Sequence, residues 1–291
     1  MGSGQNAGQH EKLEPQERLV LALAGVPTRN AQGPAAPAEL DVYLRRNVDP
    51  WATDVNTLTE DLWTGFQDGV DLAGERATVA AIWMLEQEVR HVRKHGLHLM
   101  RGLSGSGWPH AQYQFGLELL KGGVVDRDLK GAKALFEQVC SDQKTAPQVR
   151  AKALVTLGDM LRDGRGCVRD QARALSLYEQ AALLKDGTGA HRAGLFHHGL
   201  VDGWNGQRDL NLAAHYYEIA ADRGEVKAQT ALGLLHGSGQ LKKSDSSYGL
   251  KLLQRAMEGG EGVATAVLAT MQRGVRTTGA ASREKSHGSL A

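Results

Sequence analysis

LGDMLRDGRGCVRDQARALSLYEQAA, residues Leu157 to Ala182, decides the fold, because its spacing recurs along the chain. Here Gly158 opens the pattern, Gly164 follows, Asp170 comes six positions after Gly164, and the small Ala174 comes four after that. The same order runs through Gly116, Gly122, Asp128 and Ala132; through Gly194, Gly203, Asp209 and Ala213; and through Gly233, Gly239, Asp245 and Gly249. The opening glycines are 42, 36 and 39 residues apart. Self-similarity at such a period is the signature of a repeat architecture.

Each unit begins on an apolar, helix-favouring run: Ala111 to Leu120, Ala153 to Leu161, Gly189 to His197 and Ala228 to His236. A turn containing the second glycine follows, and a residue free to take positive φ there stops a helix without a Cβ penalty. The aspartate then stands where an N-cap belongs, its carboxylate accepting from unpaired backbone N–H groups and complementing the helix dipole. Seven and eight positions on come Leu135 and Phe136, Leu177 and Tyr178, Tyr216 and Tyr217, Leu252 and Leu253. Four further along come Val139 and Cys140, Ala181 and Ala182, Ala220 and Ala221, Ala256 and Met257. That rhythm places one apolar stripe on one helical face. Each unit reads as a helix–turn–helix hairpin that buries its apolar face only by stacking on a neighbour. Ala264, in step with Gly189 and Ala228, begins a partial fifth unit suited to covering the last face.

The pattern resembles the Sel1-like repeat family, a subclass of tetratricopeptide-like α-solenoids, over roughly residues 108 to 274. The match is densest at Leu157–Gly158, Gly164, Gly166–Cys167–Val168, Asp170, Ala174, Leu177, Tyr178, Ala181 and Ala182, and next at Leu232–Gly233, Gly239, Asp245, Leu252 and Ala256. Val124 and Leu241 depart from it where the loop's last glycine belongs. His197 and His236 occupy a position that the family fills with an aromatic, and about three extra residues precede Gly203. The resemblance implies an all-α fold, a right-handed α-α superhelix (solenoid) of such hairpins, and a non-catalytic role as a protein-interaction adaptor or scaffold. Some secreted relatives staple each hairpin with a cysteine pair; Cys140 holds one such position, with no cysteine in the next helix to meet it.

The rest of the chain divides by composition. Residues 1–37 read as a flexible segment with a short helix near Pro15 to Ala24 and a linker from Pro27 to Pro37. Residues 38–107 are helical but outside the repeat, and read as a divergent N-terminal cap on the solenoid of 108–274. Asp54 or Thr57 caps a helix carrying Leu58, Leu62, Trp63, Phe66 and Val70, and one longer helix runs from about Glu75 to His95. Residues 275–291 are small, polar and expected to be disordered. A net charge of +1 argues against a general nucleic-acid or membrane-surface binder. No apolar run is long enough for a membrane helix, and two cysteines do not make a disulfide framework. The expectation is a reducing, cytoplasmic setting, with secretion by a signal-less route left open.

Candidate sites are few. His91, His95 and His98 fall on one helical face at zinc-compatible spacing, yet Arg90, Arg93, Lys94 and Arg101 surround them, so a solvated basic face and an anionic contact compete with a metal site. Gly96 stands where it would interrupt that helix. His197, His198 and His236 form a second group, either half-buried structural histidines or a metal-binding or pH-sensing pair. Trp204, in the third unit's turn, reads as an interface anchor or as folding back over the groove between units; Trp204 and His198 are the expected partner contacts. Trp108 seals the junction with the cap. No HExxH, GxSxG or GxxxxGK[ST] motif occurs, and no cofactor is implied. The function expected is a scaffold binding a protein or peptide, with a secreted effector, or an enzyme or metal-binding regulator sited in residues 38–103, as alternatives.

Overall fold

The computed structural model describes residues 59, 60, 62–64 and 73–270. The expectations for the N-terminal segment, for most of the helix around Leu58 to Val70, and for the C-terminal tail lie outside those residues. Every described element is helical, and the chain forms two compact units, one through Thr145 and one from Ala146.

The first unit holds α1 (Ala73–Glu86), α2 (Arg90–Gly105), α3 (Pro109–Lys121) and α4 (Leu129–Ser141). The single helix expected from Glu75 to His95 is broken. Helix α1 ends at Glu86, the Gln87 side-chain amide donates to the Trp83 carbonyl (2.7 Å), and α2 restarts at Arg90. That side-chain bond satisfies one carbonyl that a helix end leaves open. Gly96 does not interrupt α2. It is buried where α2 crosses α1, and a Cβ there would stand 2.6 Å from Met84 Cβ and 2.9 Å from the Ala81 carbonyl. Helix α2 continues to Gly105, with Ser104 buried. Ala77, Ala81, Trp83, Met84, Val92, Leu99 and Leu103 form the core here, with Trp63, Trp108 and Phe115 packed on it. Trp108 lies against Gly74, where a Cβ would meet the indole at 2.7 Å.

The second unit holds α5 (Pro147–Asp163), α6 (Gln171–Leu183), α7 (Gly187–His198), α8 (Leu210–Asp222), α9 (Val226–Gly237) and α10 (Ser246–Glu258), with residues 262–270 also helical. Each helix packs on the next, as sequential hairpins. All four repeat aspartates cap the second helix of their hairpin. Asp128 accepts from Gly131 N, Asp170 from Arg173 N, Asp209 from Asn211 and Leu212 N, and Asp245 from Ser247 and Tyr248 N. Asp186 caps α7 in the same way, accepting from Gly189 N at 2.7 Å.

Two features locate the surface discussed below. Each opening glycine faces a large side chain of its hairpin's second helix: a Cβ would meet the ring of Phe136 at Gly116 (2.7 Å), Tyr178 at Gly158 (2.6 Å) and Tyr217 at Gly194 (2.5 Å), and Leu253 at Gly233 (2.9 Å). Only glycine allows that approach, which buries a side chain worth about 2 kcal/mol between the two helices. The turns differ. Gly122 and Gly164 end α3 and α5 with φ of 74° and 71°, but Gly199 (φ 75°) ends α7, so Gly203 shapes a longer loop instead. Ala264 and Leu268 close over Leu253 and Ala256 as the start of the expected partial fifth unit.

Candidate interaction surface

The side chain against the opening glycine is apolar in the first and fourth hairpins, as Phe136 and Leu253, but tyrosine in the second and third. A buried tyrosine hydroxyl needs a partner, and both find one on the first helix. The Tyr178 hydroxyl donates to Asp159 Oδ1 at 2.7 Å. Arg162 of the same helix and Arg192 of the next first helix pair with that oxygen at 3.3 and 3.0 Å. Arg162 also grips Asp163 with two hydrogen bonds of 2.7 and 3.1 Å. Burial, together with the Asp159 carboxylate, keeps Tyr178 protonated far above the usual phenol range. The hydrogen bond from Arg162 holds Asp163 below the usual carboxylate range. The result is a fixed, paired charge cluster joining α5, α6 and α7.

In the third hairpin the Tyr217 hydroxyl lies 3.2 Å from His198 Nδ1. Burial and the nearby Arg208 charge push His198 below its ordinary pKa, so its ring stays neutral and Nδ1 can accept the phenolic proton. His197 turns elsewhere: its ring stacks on Tyr216, centroids 5.4 Å apart, and its Nε2 meets Glu179 Oε1 at 2.9 Å. His236 Nδ1 accepts from the Asp245 backbone N–H at 3.0 Å and its ring stands edge-on to Tyr248. The three histidines thus serve three local structural contacts and share no site. Among the described residues no group of three or more His, Cys, Asp or Glu could hold a metal ion. His91, His95 and His98 form no such group. They lie along α2, with His91 and His98 exposed, and no further ligand joins them.

Trp204 folds back. Its indole meets Phe196 edge-on with centroids 5.1 Å apart, and a side chain at Gly206 would run into its ring. It remains half exposed. The same loop is tied to the preceding one, since Arg169 Nη2 and Gln171 Nε2 both donate to the Asp202 carbonyl, at 2.7 and 2.9 Å. The next loop is tied in turn through Lys242 N, which donates to Asn211 Oδ1 at 3.1 Å. Cys140 and Cys167 are not joined in a disulfide.

Sequence reasoning singled out Trp204 and His198 as partner contacts, and it missed the Asp159–Arg162–Arg192–Tyr178 cluster and the Arg169–Asp202 tie. The first carried a readable signal, a tyrosine where equivalent units have phenylalanine or leucine. The second carried none, because a backbone carbonyl acceptor leaves no trace in side-chain identity.

The Sel1 repeat family model matches residues 109–141, 151–186, 190–225 and 226–261. Among solved structures, a Sel1 repeat protein from Oxalobacter formigenes is 19% identical, covering 80% of this chain and 87% of that one, with a TM-score of 0.56. A protective antigen of uropathogenic Escherichia coli with an SLR fold is 16% identical, covering 81% of this chain and 63% of that one, with a TM-score of 0.40. No curated protein matches.

Proposed function

This chain belongs to the Sel1 repeat family, and on that premise we propose that it is a non-catalytic adaptor that holds a protein or peptide partner against its repeats. The glycines, aspartates and small residues of the repeat are committed to turns, caps and helix contacts, so recognition falls to positions that differ from unit to unit. The observation that carries the reading lies on the first helices of successive hairpins. Asp159 of α5 pairs with Arg192 of α7 across adjacent helices. Three positions beyond Arg192 stands Leu195, and the corresponding pair in α9 is Ala231 and the exposed Leu234. One face thus runs from paired charge to exposed apolar surface, the mixture that interfaces use. Two unbridged cysteines suit a reducing compartment.

The test places a photo-activatable amino acid at Leu234 or Thr156, and at the exposed Lys251 on a second helix as control. A discrete protein adduct from the first-helix positions alone is expected. Adducts from Lys251 alone, or from none of the three, would refute the adaptor reading on this face.

A further inference from the structure

The turns joining first to second helices in the second, third and fourth hairpins carry charges of a different kind from the helices beneath them. On the helices, Arg162 and Arg192 are matched by Asp159 and Asp163. In the turns, Arg165, Arg169, Arg208, Lys242 and Lys243 are all exposed, and among the described residues none is in an ion pair with a carboxylate. The carboxylates beside them are occupied. Asp163 holds Arg162, and Asp170, Asp209 and Asp245 cap helices, where the positive helix N-terminus already offsets their charge. Asp202 is the one turn carboxylate left to oppose five cations.

These cations share one edge. The Asp202 carbonyl binds Arg169 and Gln171 of the preceding turn, the Arg208 methylenes lie near Gly199, and Lys242 acts electrostatically on Asp209. On the same edge stand Val168, 88% exposed, and Leu200, 60% exposed, with Trp204 half exposed in the same turn as Leu200. Large apolar side chains held out beside unpaired cations are the two halves of a recognition element: the charges steer and orient a partner, and the apolar groups anchor it.

We propose that this row of turns, from Arg165 to Lys243, docks an acidic segment of another protein that carries a bulky apolar residue. The proposal rests on the adaptor reading and adds the chemistry of the partner and a place for it distinct from the first-helix face. Acidic side chains pair with Arg165, Arg208 and Lys242, while the apolar residue covers Val168 and Leu200.

A selection of displayed random dodecapeptides on the full chain tests this, followed by fluorescence anisotropy of the recovered sequences. Expected peptides are rich in Asp and Glu around Leu, Ile, Phe or Trp. Their affinity should drop about tenfold or more in the combined variant Arg165→Glu, Arg208→Glu, Lys242→Glu, through the loss of several exposed ion pairs together. Added salt should weaken binding. Arg169 is left intact because it holds the neighbouring turn, and unchanged circular dichroism and melting would show that the variant is folded. Val168→Ser with Leu200→Ser should also weaken binding, whereas Leu183→Ser, likewise exposed (83%) but at the opposite end of its hairpin, should not. Neutral or basic peptides, an empty selection, or acidic peptides indifferent to the triple variant would each overturn the proposal. So would a single-stranded oligonucleotide that competes equally and ignores Val168 and Leu200, which marks a generic polyanion site. A second copy of the chain as occupant, seen as self-association abolished by the triple variant with no peptide recovered, would overturn it as well. Peptides that lose binding on Leu234→Glu alone would sink this proposal while sparing the adaptor reading.

Discussion

The glycines of the repeat do two separate jobs, and single substitutions distinguish them. At Gly194 an added methyl group would stand 2.5 Å from the Tyr217 ring, between two helices that are already in contact. Gly194→Ala should therefore cost about 2–3 kcal/mol, the usual penalty of overpacking, read as a lower urea midpoint. Gly237, at the end of α9, has no atom within 4 Å of where its Cβ would be. Gly237→Ala should be neutral, or gain up to about 1 kcal/mol from helix propensity; a loss like that of Gly194 would show that the contact argument is mistaken. The glycine register was legible from spacing alone. The reason for it was not, because the ring it meets lies 23 residues away for Gly194 and 20 for Gly158, a pairing that appears only when the hairpin closes. The capping aspartates were legible in both place and role. Asp209 is held below the usual carboxylate range chiefly by the Leu212 N–H, and Asp245 chiefly by the Ser247 hydroxyl. A carboxylate depressed in the folded state stabilises the fold above its unfolded pKa, and that contribution disappears as pH falls through the folded value. Acidification below about pH 4 should therefore lower the melting temperature. Asparagine caps a helix without titrating, so Asp209→Asn with Asp245→Asn should flatten that acid slope. An unchanged slope would mean the caps do not contribute to it.

Among the elements, sequence periodicity found every helix of the repeat but joined two helices ahead of it. EQEVRHVRKH, residues 86 to 95, contains only residues that a helix accepts, so nothing local marks the break after Glu86. The break is made by tertiary contact. Val89 is buried at the turn, and Gly96 lets α2 cross α1 against Met84. Gly96 was misread for the same reason: an isolated helical glycine signals either a stop or a close approach, and only the neighbour decides. The turn of the third hairpin shows the converse, where extra residues gave α7 its own stop at Gly199 and left the rest of the loop to be held from outside. Arg169 and Gln171 supply that hold through the Asp202 carbonyl. Replacing both by alanine should speed amide hydrogen exchange across residues 199–208, while α8, still capped by Asp209, exchanges as before. If the loop keeps its protection, Trp204 packing on Phe196 is sufficient to order it and the two donors are incidental.

For the molecule as a whole, a repeat sequence declares its architecture and conceals its partner for one reason. The recurring positions are spent on closing hairpins, and what recurs is what a sequence reader can see. Tyr178 with Asp159, or Tyr217 with His198, are departures within the pattern, and their meaning depends on which neighbour they meet. The same nearest-neighbour logic governs stability. In the second unit each helix packs on the next, and residues 262–270 cover α10 through Ala264 and Leu268. Stability in such a stack is a sum of hairpin and interface terms, so damage at one end should stay local. Leu268→Ala removes a side chain that is only 7% exposed and should cost about 2 kcal/mol or more at that interface. Hydrogen exchange should then quicken in α10, less in α9, and not at all in α5 and α6. Uniform acceleration from α5 to α10 would instead mean that the unit opens as one cooperative block, and that the final half-hairpin supports the whole unit rather than its nearest neighbour.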